Sequence, residues 1–420
     1  MYLTQSNQIK GLSKTEYEAL REMCRYAKNL YNVGLYSIRQ YFFAEGRFLR
    51  YESNYQAVKD NDNYALLQAG VSQQILKRVD RSFRSFFNLL KKAQHGEYRF
   101  HDVRIPHYLK KDGYCPLILS TNAIIIKGGF LQVPMSHEFK RAHPDLERIK
   151  IPFPARLEGK NIKEVRIIPV ERARFFKVQF VYEEEEDLQA QLSPDKALAI
   201  DLGLDNLATC VNSTDGSSFI IDGKSLKSIN HQYNVRLANL QSILDQQQLP
   251  RSEQMARITM NRNNHVHDYM MKAARYLINY CLQHQIGTLI VGYNLDWKCA
   301  LNHGTRNNQN FVQIPHGQLR TQLAHLCTRY GIRYAEQEES YTSKASFLDE
   351  DLMPIWNGSH QAVTFSGKRV KRGLYRAANG QTLNADVNGG GNILRKSNHR
   401  LDFERVARGL LANPLRVKLT

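Results

Sequence analysis

The chain has 420 residues, enough for two or three domains, and carries 58 Lys and Arg against 40 Asp and Glu, a formal charge of +18. A balance this basic points to nucleic acid as a partner. No run of 18 apolar residues occurs, so no membrane span is predicted, and the N-terminal stretch "MYLTQSNQIKGLSKTEYEAL" lacks the apolar centre of a signal peptide. The six cysteines, Cys24, Cys115, Cys210, Cys281, Cys299 and Cys327, are scattered and form no C-x-x-C pair. That spacing argues for reduced cytosolic thiols and against a disulfide framework or a sequence-local zinc knuckle, and a cytoplasmic, nucleoid-associated protein is expected.

Residues 2–10 read as a first strand. From Ser13 to Gln94 the pattern turns helical: "LSKTEYEALREMCRYAKNLYNVGLYSIRQYFF" repeats apolar residues every three or four positions, and Ser13 followed by Glu16 fits a capping box. In "SQQILKRVDRSFRSFFNLLKK", Ile75, Val79, Phe83, Phe86 and Leu90 form one stripe. The other face carries Lys77, Arg78, Arg81, Arg84, Lys91 and Lys92, and the first four of these are the candidate nucleic-acid contacts. From Tyr98 to Tyr182 the signal is β. "AIIIKGGFLQVP" reads as a hairpin over a Gly-Gly turn, and "VRIIPVERARFFKVQFVYE" reads as another. The acidic run "EEEED" at 183–187 and the following "QAQLSPDK" mark a boundary near 188–195. Two lobes are expected: residues 1–190, a small β-barrel with a helical insertion at about 13–95, and residues 195–420, an α/β sheet.

The second half restarts with "ALAIDLGLDNLATCVNSTDGSSFIIDGK", a strand ending near Asp201 and Gly203 and a second strand returning through a "TDGS" turn. A helical region follows over roughly 225–285, interrupted near Pro250. Then come the strand "GTLIVGYN", the helix "PHGQLRTQLAHLCTRYG" ending at Gly331, the strand "IRYAEQEES", and "LNADVNGGGNILRK", a turn into a helix. This is the order of an RNase H-like domain. Two-metal cleavage of a phosphodiester needs hard oxygen ligands around two Mg²⁺ ions about 4 Å apart. Asp201 stands at a strand end, with Gly203 allowing close approach. Asp386 opens a helix, where an N-cap is the common role of such a residue. The run Gly389, Gly390, Gly391 is costly inside a helix, and it would let that helix lie against the sheet with Asp386 beside Asp201.

Taken in order, "AIDLGLDNLAT", "NNQNFVQIPHGQL", "YTSKAS" and "LNADVNGGGNI" resemble the TnpB family, transposon-encoded RNA-guided nucleases ancestral to type V CRISPR effectors. The resemblance spans about 197–396; the N-terminal half fits only loosely, although "RIPHYLKKDGY" is similar to a family segment. It implies a RuvC-like nuclease domain, a wedge-like N-terminal barrel, two Mg²⁺ ions, a guide RNA from the transposon end, and double-stranded target DNA with a short adjacent motif. Asp201 matches the first RuvC aspartate and Asp386 the last. The usual RuvC glutamate falls at Gly292. The usual four-cysteine zinc finger after "YTSKAS" is replaced by residues without cysteine, so a metal-free lid is expected at about 342–383, and no zinc. Were zinc bound, His303, His316 or His360 would be its ligands.

Gly292 leaves three alternatives. The acid has moved to the next strand, where Glu338 or Glu339 could fill the space across about 4.8 Å; the nuclease is inactive and the chain is a guided DNA-binding repressor; or another acid, such as Asp296 or Asp349, serves. A transposase that joins DNA ends on the same fold is a further reading.

Overall fold

The computed structural model describes residues 1–185, 191–293, 313–355, 363–399, 401 and 411–419. The start of the expected linker, Asp296, Cys299, His303 and His360 lie outside the described residues. The chain divides into two compact units, Met1–Glu185 and Glu186–Thr420.

The first unit runs β1 (Tyr2–Gln8), α1 (Lys14–Glu45), α2 (Tyr51–Val58), α3 (Asp62–Ala65), α4 (Ala69–Gln94), β2 (Leu117–Ser120), β3 (Ile125–Lys127), β4 (Phe130–Gln132), α5 (His137–Ala142), β5 (Lys150–Pro152), β6 (Ile162–Val170) and β7 (Phe175–Glu183). Helix α1 starts in a reciprocal capping box between Ser13 and Glu16 and stops at Gly46, which takes the left-handed conformation at φ 64°. The apolar stripe of α4 supplies Ile75, Val79 and Phe83 to a core shared with Leu20, Met23 and Leu30 of α1. The strands form two antiparallel sheets, one in the order β1-β7-β6-β2 and one in the order β3-β4-β5.

The second unit runs β8 (Ser193–Leu202), β9 (Asn206–Asn212), β10 (Ser218–Asp222), α6 (Lys224–Gln246), α7 (Glu253–Gln283), β11 (Ile286–Tyr293), α8 (His316–Tyr330), β12 (Arg333–Glu338), β13 (Lys368–Lys371), β14 (Leu374–Arg376), β15 (Thr382–Asn384), α9 (Ala385–Lys396) and β16 (Leu415–Val417). Its main sheet has the order β12-β11-β8-β9-β10-β16. The β8-β9-β10 meander is antiparallel, while β11 and β12 add parallel to β8, a mixed pattern consistent with a RuvC-like domain.

Side chains on a strand alternate between faces, and here the two faces pack on different helices. Leu198, Ile200, Leu289 and Val291 share a core with Met270, Ala273 and Leu277 of α7. Ala197, Ala199 and Ile290 share another with Val387, Ile393 and Leu394 of α9. The small side chains of β8 on the second face leave room for α9 to approach closely. Asp201 follows Ala197 and Ala199 at the same period, so it emerges on the α9 face at the end of the strand.

Candidate active site

The glycine run of α9 meets the sheet at two points and the segment after β12 at a third. A Cβ on Gly389 would lie 2.5 Å from Asp201 Oδ2, one on Gly390 3.0 Å from Val211 Cγ2, and one on Gly391 2.7 Å from the Phe347 ring. No larger residue fits at Gly389 or Gly391 without displacing its neighbour. Two buried asparagines of the same helix fix the segment that follows β12. Asn388 accepts from the Phe347 amide and donates to the Ala345 carbonyl, and Asn392 donates to the carbonyls of Thr342 and Ala345, all within 2.8–2.9 Å. These bonds join the "YTSKAS" segment and Phe347 to the "VNGGGN" helix. The sequence left Asp386 as a possible N-cap, but Asn384 takes that role by accepting from the amides of Asp386 and Val387. The Asp386 carboxylate is therefore free of the helix terminus.

Strand β12 pairs with β11 so that Ile290 faces Ala335 and Gly292 faces Gln337. Ala335 packs on the α9 face, and Glu339 continues that parity just beyond the strand. Its carboxylate fills the space above Gly292, where an added Cβ would meet Glu339 Oε2 at 2.7 Å and Ile393 Cδ1 at 2.6 Å. Glu338 is committed elsewhere. It accepts from Lys396 Nζ at 2.7 Å and from the Ser340 amide at 2.5 Å, and Lys396 also donates to the Ser340 carbonyl.

The electrostatics of the two glutamates diverge accordingly. Burial, then the Glu338 charge, pushes the Glu339 carboxyl up to about 7, with Arg320 and Lys396 pulling the other way. Burial opposes the ionised form of Glu338 as well, but the hydrogen bonds from Lys396 and Ser340 hold it below the usual carboxylate value. Asp201 is raised well above that value, first by burial and then by the charges of Glu339 and Asp386.

Asp201 and Asp386 line a cleft of about 1000 Å³ together with Asp205, Asn206, Lys224, Arg369, Arg372 and Arg416. Asp386 accepts from Asn206 Nδ2 and pairs with Arg369 at 3.3 Å; Asp205 is held by Lys227 and Arg372. Among the described residues no three acids, histidines or cysteines stand close enough to cage an ion. The donor chemistry still suits a hard divalent cation. Two half-buried carboxylates, Asp201 and Glu339, are destabilised in their charged forms, and added positive charge would relieve both.

The remaining sequence-derived candidates scatter. Asp349 accepts from the Ser346 hydroxyl and the Ala378 amide, which ties it to the lid segment. His316 is buried with Nε2 2.9 Å from the Gly203 carbonyl. On α4, Arg81 is exposed, Arg84 pairs with the buried Asp80 at 2.6 Å, and Lys77 lies over the Tyr51 ring. Arg78 departs from the expected solvent-facing role: it is half-buried, donates to Cys115 Sγ at 3.1 Å and lies over the Tyr31 ring. Sequence reasoning missed Asn206, Arg369, Arg372 and Arg416. Asn206 sits in the quoted "AIDLGLDN" motif, but a strand-edge amide carries no signal by itself.

Residues 179–298 match the OrfB_IS605 family, described as a probable transposase. The matched stretch includes Asp201, Asn206 and Gly292. The TnpB-like protein ORF457 of Acidianus two-tailed virus is 24% identical, over 90% of this chain and 83% of that protein. A solved Cas12f1–sgRNA–target DNA complex shares the fold at a TM-score of 0.55 and 13% identity, over 91% of this chain and 83% of that one. The chain is thus a mixed α/β protein similar to TnpB-like proteins in sequence and to Cas12f1 in fold. No described helix is long and apolar enough to cross a membrane.

Proposed function

We propose that this chain is an RNA-guided DNA endonuclease of the TnpB type, with the RuvC glutamate relocated from the Gly292 position to Glu339. The observation that carries the reading is the Glu339 carboxylate in the space above Gly292, on the Asp201 face of the sheet. Asp201, Glu339 and Asp386 would hold Mg²⁺, and Glu338 would remain a structural partner of Lys396. Two bound Mg²⁺ ions would supply charge stabilisation at the scissile phosphate and an activated water. The chain's own contribution is to hold three acids from three elements at one end of the sheet. The Arg and Lys side chains around the cleft attract the phosphate backbone. The first unit, as a wedge-like barrel with its helical insertion, and the cleft would engage a guide RNA from the transposon end and double-stranded target DNA bearing a short adjacent motif. Base pairing would read the sequence while protein contacts hold the backbones. The lid at about 342–383, whose described part carries the β13-β14-β15 sheet, would work without zinc.

A second reading, a guided DNA-binding repressor without cleavage, is favoured by the ion pair of Asp386 with Arg369 at 3.3 Å, which sets a guanidinium where a cation would sit. One experiment separates the two. The protein is expressed with its flanking DNA, copurified RNA is sequenced, and that RNA is used to programme cleavage of a matching target in Mg²⁺. The nuclease reading expects cleavage that EDTA stops. Guided binding without cleavage in Mg²⁺ or Mn²⁺ would establish the repressor instead.

A further inference from the structure

Three neighbouring strands present one continuous chain of polar side chains behind Asp386. Asn206 at the start of β9 and Asp222 at the end of β10 are register partners, and β16 adds parallel to β10 with Arg416 opposite Ile220. Asp222 is buried at 4% exposure and accepts from the Lys224 amide at 3.1 Å and from Arg416 Nη1 at 2.8 Å. Arg416 Nη2 donates to Asn206 Oδ1 at 2.9 Å, and Asn206 Nδ2 donates to Asp386. The order of donors fixes the amide: turning it over would set its oxygen against a carboxylate and its NH₂ against a guanidinium, losing both bonds. The guanidinium fork is what allows Arg416 to grip Asp222 and Asn206 together, which an ammonium cannot do with the same planarity.

We infer that Asn206 and Arg416 are positioning residues for Asp386, with buried Asp222 as the anchor that sets the chain of hydrogen bonds. The inference rests on the nuclease reading and deepens it, because Asp386 is the one carboxylate of the three that a helix supplies. The chain of bonds ties that helix residue to the meander whose first strand ends beside Asp201. It also gives the C-terminal strand a place in the site: Arg416 lines the same cleft as Asp201 and Asp386. Outer partners of metal-binding carboxylates change metal affinity or activity by about 10–100-fold when removed.

The test uses the full-length, guide-loaded protein and two readouts, Mn²⁺ binding by calorimetric titration and cleavage of a matched target. The variants are Asn206→Ala, Arg416→Gln, the double variant, Arg416→Lys, and Asp386→Asn as the reference. Each single variant is expected to weaken Mn²⁺ binding and raise the Mn²⁺ needed for half-maximal cleavage by about 10-fold or more. Target binding and the melting temperature should stay close to wild type for Asn206→Ala. The double variant should be no more than about 3-fold worse than the poorer single one, since both act through one chain of bonds. Arg416→Lys, keeping the charge without the fork, should fall between wild type and Arg416→Gln. Multiplying effects in the double variant, or lost cleavage with unchanged Mn²⁺ binding, would overturn the inference. If the wild type cuts and Asn206→Ala cuts equally well at every Mn²⁺ concentration, the inference alone fails. If the wild type neither binds Mn²⁺ nor cuts with a verified guide, the nuclease reading fails and takes the inference with it.

Discussion

Burial and the neighbouring Glu338 charge give the Glu339 carboxyl its high affinity for a proton, raising it from 4.5 to about 7. Between those values the folded, metal-free protein holds a proton that the unfolded chain has released. Stability is therefore fully present below about pH 4.5 and falls as pH rises through about 7, by roughly 3 kcal/mol in the limit. Asp201, also raised, acts with the same sign. In EDTA the wild-type melting temperature should drop between pH 5 and pH 8, and Glu339→Gln should flatten that profile. Superimposable profiles would show that Glu339 is not held as described. The sequence left Glu338 and Glu339 as equals because parity along a strand means nothing until its register is known. Once Ile290 pairs with Ala335, Glu339 falls on the α9 face, and Lys396 claims Glu338. Arg78 misled for a related reason. Helical spacing separates an apolar from a basic face, but Arg78 sits at their border, and its guanidinium turns inward to Cys115 and Tyr31. Arg78→Ala should cost about 1 kcal/mol in thermal unfolding and change nucleic-acid affinity little.

Helix α9 is where local propensity yields to packing. Glycine in a helix interior is worse than alanine by up to about 1 kcal/mol, so an exposed Gly→Ala change stabilises. At Gly317 of α8 nothing lies within 4 Å of the added Cβ, and Gly317→Ala should raise stability by about 0.5–1 kcal/mol. At Gly391 the Cβ would press on the Phe347 ring, so Gly391→Ala should instead cost about 1–3 kcal/mol. Gly389→Ala intrudes on Asp201 and should lower cleavage more than it lowers the melting temperature. Equal gains at all three positions, measured by thermal unfolding, would mean that α9 does not press on Asp201 and Phe347. The elements themselves were largely legible: the Pro250 break between α6 and α7, the left-handed stop at Gly331, and the strand on either side of α8 all follow from local chemistry. The three-stranded β13-β14-β15 sheet was not, because β13 is an exposed Lys-Arg strand and β14 and β15, three residues each, are too short to establish a period around their buried Tyr375 and Leu383.

At the scale of the whole chain, the +18 charge makes salt the natural probe. Neutralising Arg81 and Arg84 together should weaken RNA or DNA binding and flatten its dependence on salt, by up to about one unit of log–log slope per lost phosphate contact. An unchanged slope in filter-binding titrations would move the nucleic acid away from α4. The chain's composition also bears on zinc: with no C-x-x-C pair, no stoichiometric zinc should copurify. Elemental analysis finding one zinc per chain would contradict a metal-free lid. Charge and cysteine spacing are properties of the sequence alone and could be read at once. The bonds joining Asp222, Arg416, Asn206 and Asp386 could not, since they link residues up to 210 positions apart and depend on which strands become neighbours.

The most direct measurement is target cleavage by Glu339→Gln and Glu338→Gln side by side, each with a verified guide and target in Mg²⁺. Both substitutions keep size and hydrogen-bonding capacity while deleting one charge. Glu339→Gln should lose cleavage by about 100-fold or more, as removal of a group acting on the transition state does, with guided binding intact. Glu338→Gln should cut at close to the wild-type rate. Normal cleavage by Glu339→Gln, or equal loss in both variants, would contradict the relocation of the acid to Glu339.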